Sequence, residues 1–124
     1  MSTYLLAFIV SNFKSQEADL SLFHGKPVRT YASPHLISRG FGVYPSIVAA
    51  KVLNFYEDYF QIEYPLPKMD SVAIPNGHFA AGAMENYGAN TYREKLLLNR
   101  GNLTTESERY SITSIMYALL CLLS

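Results

Sequence analysis

A chain of 124 residues is the size of one domain. Its ten basic and ten acidic residues cancel, so neither nucleic acid nor an anionic membrane has an electrostatic claim on it. At 49% apolar the chain can build a core, and its one cysteine, Cys121, excludes an internal disulfide.

Thr3 to Val10 is apolar on both alternating faces, which predicts a strand covered on both sides. It lacks the basic start and small-residue cleavage site of a signal peptide. Asn12 to Pro27 is polar and closes on the breaker Gly25-Lys26-Pro27. Val28 to Ala32 predicts a second short strand, stopped by Ser33-Pro34, and a domain boundary is placed there.

Pro45 suits the first turn of a helix. Tyr44, Val48, Val52, Phe55 and Tyr59 then recur at helical spacing, with Lys51, Asn54, Glu57 and Asp58 on the other faces. The pattern predicts an amphipathic helix of about four turns. Pro65 and Pro67 are expected to end it, and Asp70 to Pro75 predicts a strand. Pro75-Asn76-Gly77 is a turn, and Asn86 to Leu98 is a strand with an irregularity at Gly88. Thr105 and Glu108 form a capping-box pattern that opens a last helix. The order of elements predicts an α+β fold. The longest apolar runs, Tyr4 to Val10 and Ile115 to Leu123, hold seven and nine residues. A helix needs about 20 to cross a bilayer, so no transmembrane span is expected.

The most informative stretch is Gly82-Ala83-Met84-Glu85-Asn86. Small residues leave peptide N–H and C=O groups open to close approach. A carboxylate one step further can hold a cation on a ligand laid along that backbone. This string resembles the exopeptidase signature of the M1 family of zinc aminopeptidases. Tyr64-Pro65-Leu66-Pro67-Lys68-Met69-Asp70 resembles the stretch that precedes the signature in that family, and Thr91-Tyr92-Arg93-Glu94 the strand that follows it. Met1 to Leu5, with Ala7-Phe8, is similar to a strand near the end of the family's N-terminal β-domain. In texture the chain resembles insect aminopeptidases N. Residues 1–34 therefore resemble the closing strands of that β-domain, and residues 35–124 the opening of an incomplete thermolysin-like peptidase domain.

The resemblance implies that Glu85 receives the α-ammonium of a peptide N-terminus, while Gly82 and Ala83 align the substrate backbone. Met84 and Asn86 complete the segment, Asn86 more as a tie within the chain than as a contact. A charged hydrogen bond of this kind contributes roughly 1.5–3 kcal/mol. The resemblance also implies zinc in the full-length parent, held by His-Glu-x-x-His on a helix. None of the three histidines here, His24, His35 and His78, is followed by glutamate. The metal motif is expected near Ala118, where the chain reads Tyr117-Ala118-Leu119-Leu120-Cys121. No zinc is expected in this chain, which reads as a fragment carrying an amine anchor without catalytic groups.

His78 reads as a solvated loop residue, and Glu57-Asp58 and Glu106-Glu108 as solvent-facing carboxylates. Cys121 has no basic neighbour to activate it. Asn102-Leu103-Thr104 is a glycosylation sequon that matters only in a secretory protein. Members of the family work at the plasma membrane, outside the cell or in the cytoplasm, and the chain carries no address. The rival reading is a non-catalytic protein that binds peptide N-termini or associates with itself through exposed strand edges, or a truncated product without function.

Overall fold

Val28, Thr30 and Ala32 alternate with Arg29 and Tyr31, and the strand they form (β2, Val28–Ala32) buries the first set and half-buries the second. The computed structural model describes residues 9–75, 83–84 and 88–98. Around β2 runs a five-stranded sheet in the order β1-β2-β3-β5-β4, with β1 at Lys14–Glu17, β3 at Met69–Ile74, β4 at Ala83–Met84 and β5 at Ala89–Arg93. β2, β3 and β5 are parallel, whereas β1 and β4 pair antiparallel on the two flanks.

Between β2 and β3 lie a short helix, α1 (Pro34–Ser38), and a long one, α2 (Val43–Phe60). A parallel pair needs a crossover of this kind, because a tight hairpin cannot return the chain in the same direction. Pro34 occupies the first turn of α1, where its missing N–H costs nothing. The result is a small mixed α/β unit, consistent with an α+β class.

α2 lies on one face of the sheet. Thr30 Oγ1 is 2.8 Å from Ser46 Oγ, whose single proton has the carbonyls of Gln16 at 3.0 Å and Gly42 at 2.9 Å as acceptors within reach. Ser46, Ala49, Ala50, Val52 and Leu53 are buried. These mostly small side chains let the helix approach the strands closely. The expected apolar stripe is thus only partly right: Val52 is buried, but Phe55 and Tyr59 are 50% and 70% exposed. Alanine and serine carry weak hydropathy, so the pattern favoured the aromatic side of the helix over the small-residue side that packs.

A second correction concerns Glu57, expected to face solvent. Its side chain is 13% exposed. One oxygen lies 2.8 Å from His24 Nε2, and the other accepts the Tyr64 N–H at 2.7 Å. Three residues before it, the Asn54 amide donates to the Leu22 carbonyl. Asn54 and Glu57 therefore fasten α2 to the 3₁₀ turn Leu20–Phe23 and to the segment leading into β3. That turn is capped by Asp19, whose carboxylate accepts the Ser21 N–H at 2.9 Å. The same bond holds its pKa below the ordinary value.

Ile9 and Val10, the end of the first expected strand, are not in a strand, and both are exposed. The rest of that strand and the whole last helix lie outside the described residues. Asn86 to Leu98 was expected as one strand. β5 ends at Arg93, and a one-turn helix, α3 (Glu94–Leu97), follows. Gly88 does break the regular backbone, at φ +77°.

Candidate functional site

The string 82–86 enters the described structure at Ala83 and Met84, which form β4. Both residues are half-buried. Ala83 pairs with Tyr92 and Met84 with Thr91. In an antiparallel pair, successive residues direct their peptide groups alternately toward the partner and away from it. No strand among the described residues lies beyond β4 in the sheet order. One residue of Ala83-Met84 thus offers its N–H and C=O to β5, and the other offers them outward.

β5, which carries β4, is buried over three successive residues, Asn90, Thr91 and Tyr92. Thr30, Ser71 and Asn90 lie in one row across β2, β3 and β5. Thr30 is bonded to α2, but among the described residues Ser71 Oγ, both amide atoms of Asn90 and the Tyr92 hydroxyl have no hydrogen-bond partner. Burial pushes the Tyr92 phenol up to about 12. Asn90 and Ser71 lie near enough to draw it down slightly, yet by strict geometry none of the three completes a bond. The phenol is a neutral, proton-bearing group at any ordinary pH.

The chain just after the string is held at Gly88. Its carbonyl accepts the Asp70 N–H at 3.1 Å and the Lys68 ammonium at 2.9 Å. Lys68 Nζ also lies 2.7 Å from Asp70 Oδ2, and the Asp70 side chain is 14% exposed. Sequence reasoning used Lys68 and Asp70 only as part of a family-like stretch and assigned them no task. Their spacing at i and i+2 leading into a strand was the available signal.

On the sheet face opposite α2, Tyr31, Asp70, Val72 and Ala89 form the floor of a cleft of about 350 Å³, walled by Ile9, Ser11 and Phe13. Gly82, Glu85, Asn86 and Asn102 lie outside the described residues, as do His78 and Cys121. Among the described residues no three His, Cys, Asp or Glu side chains stand close enough to hold a metal. None of the described helices is long and apolar enough to cross a membrane.

Residues 44–119 match the Peptidase family M1 domain. Over 116 residues the chain is 47% identical to endoplasmic reticulum aminopeptidase 1 of Mus musculus, covering 94% of this chain and 12% of that protein. It is 41% identical to aminopeptidase N of Homo sapiens over the same length and shares. Against aminopeptidase M1-C of Oryza sativa subsp. japonica, identity is 51% over 98 residues, which is 79% of this chain and 10% of the relative. The chain therefore spans about an eighth or less of the curated relatives it matches.

Proposed function

Because the chain belongs to peptidase family M1, we propose that it is the substrate-amine-binding portion of a zinc aminopeptidase that releases N-terminal residues from peptides. The observation that carries the reading is the placement of Ala83-Met84 on the outer strand of a sheet. A peptide laid along that edge adds as a further strand, with backbone hydrogen bonds supplying affinity. Glu85, the next residue in sequence, is the carboxylate assigned to pair with its α-ammonium. An internal peptide bond presents no cation there, so the carboxylate selects for free N-termini. In this reading Gly82 joins Ala83 in aligning the substrate backbone, and Asn86 serves the segment rather than the ligand.

Zinc and the general base of the parent enzyme belong to residues other than those described, and no chemical step is assigned to residues 1–124. Residues 35–124 read as the opening of a thermolysin-like domain, supported by the family match over 44–119. Residues 1–34 read as the closing strands of the preceding β-domain. β2 nonetheless joins β3 in one sheet across that division. Asn102 is a glycan acceptor if the parent enters the secretory pathway.

The test is made on two proteins. The full-length gene product that contains this segment should hydrolyse aminoacyl anilides and lose that activity with a chelator. The 124-residue chain alone should do neither, and elemental analysis should find far less than one zinc per chain. Stoichiometric zinc in the chain, with chelator-sensitive turnover, would overturn the reading.

The isolated chain should also associate with itself. Strand edges recruit other strands, although Lys14 and Glu17 blunt the β1 edge. The β4 edge carries only Ala83 and Met84. Light scattering across a concentration series should show mass rising above 13.9 kDa. A concentration-independent monomer would refute this.

A further inference from the structure

We propose that Lys68 is a positioning residue for the substrate edge, acting through the Gly88 carbonyl. The proposal rests on the amine-anchor reading and deepens it. Gly88 follows Glu85 by three residues and immediately precedes β5, while Met84 immediately precedes Glu85. Met84 is held by its pairing with Thr91. Gly88 is held from the other side, where its carbonyl accepts from both Asp70 N and Lys68 Nζ. Met84 and Gly88, the described residues that precede and follow the anchor in sequence, are thus held to β5 and to β3 respectively.

The Gly88 end is also shaped to be held. Its φ of +77° is one that residues with a side chain rarely adopt. A Cβ there would lie 3.1 Å from Leu66 Cδ1. Leu66, Lys68 and Asp70, which lead through a bend into β3, therefore approach one glycine from three positions. Lys68 does more than a backbone hydrogen bond could, because it couples that carbonyl to a carboxylate. Among the described residues Asp70 Oδ1 is buried without a partner, and Lys68 Nζ is the cation beside Asp70 Oδ2. A lysine meeting only the carboxylate would be an ordinary ion pair. This one divides its donors between the carboxylate and the strand entry that follows the anchor.

Two consequences can be separated in the full-length enzyme. Lys68→Met removes the ammonium but keeps the length of the side chain, and leaves Asp70 charged and uncompensated. Lys68→Met with Asp70→Asn removes both charges and should restore thermal stability, yet the Gly88 carbonyl still lacks its ammonium. We expect KM for substrates with a free N-terminus to rise about ten-fold in both variants, within the hundred-fold that a small misplacement can cost. Turnover of N-acetylated substrates should change by less than two-fold. On a Glu85→Ala background, Lys68→Met should add less than two-fold, because there is no anchor left to misplace.

A KM that returns to the wild-type value as stability returns would show that Lys68 only supports the fold, and would overturn the proposal. So would an effect of Lys68→Met that multiplies fully with that of Glu85→Ala. If Glu85→Ala is impaired while Lys68→Met is not, the positioning role fails and the anchor stands. If Glu85→Ala alone leaves kcat/KM unchanged, the anchor reading fails and takes this proposal with it.

Discussion

In the proposed full-length aminopeptidase, Glu85→Ala is expected to lower kcat/KM for peptides with a free N-terminus by about ten- to hundred-fold. The figure is the loss of one charged hydrogen bond shielded from water, roughly 1.5–3 kcal/mol, expressed as a rate ratio. Glu85→Gln keeps the shape and one acceptor but not the charge, so its loss is smaller. Selectivity for free over N-acetylated substrates falls in both variants, because a blocked amine never used the charge. The pattern across substrates matters more than the size of any one effect. A general disturbance of the β4–β5 pair would depress both substrates together, whereas loss of an ammonium partner depresses only one. Wild-type efficiency with unchanged preference for free amines in both variants would refute the role of Glu85.

Phe23→Ala costs about 3–5 kcal/mol of folding stability. The ring is 1% exposed. It packs at 5.7 Å between centroids on Tyr64, and the Lys26 ammonium sits 5.7 Å from its centre. That ammonium is also 5.4 Å from the Tyr64 ring and donates to the Tyr64 carbonyl at 2.7 Å. Truncating Phe23 empties the centre of this group, and the neighbours are too well tied to collapse. Asn54 and Glu57 fix the turn to α2 on one side, and Tyr64 Oη donates to the Lys68 carbonyl at 2.9 Å on the other. A domain of this size is stable by roughly 5–15 kcal/mol in all. The urea midpoint should therefore fall by about 1–3 M, or the folded baseline should vanish. A shift under about 0.5 M, less than any cavity of this size allows, would refute the role given to Phe23. Phe23→Leu should lose less.

The parts of the fold that the sequence disclosed are those where one local signal dominates. β2 was expected at Val28 to Ala32 and lies there, because alternation and the Ser33-Pro34 stop agree. β3 was expected within a residue of Met69–Ile74, and Gly88 was recognised as an irregularity. What stayed hidden was decided by packing. β1 reads Lys-Ser-Gln-Glu, with no apolar face; only its backbone pairing with β2 makes it a strand. β4 is two residues long and exists through β5. The helix α2 was legible, but not which side of it faces the sheet, since close approach needs small residues that hydropathy ranks low. The candidate site was legible as a string of letters through Ala83 and Met84. Lys68 and Asp70 were not, because their role depends on where Gly88 comes to lie.

The parallel pairing of β2 with β3 has a consequence during synthesis on the ribosome. Val28 meets Met69, so 41 residues separate the partners along the chain. At about 5–20 residues per second, β2 waits roughly 2–8 s before β3 has been made. β1 can pair with it in that interval, since Lys14 to Glu17 has already emerged and needs only a short return. The other edge of β2 stays open until α2 is complete and the crossover closes. α2 precedes β3 in the chain, and it can cover the apolar side of β2 through Ser46 and Ala49 before any parallel partner exists. The small-residue face of the helix then shields the buried face of β2 in the nascent chain, while the edge that β3 will take stays unpaired.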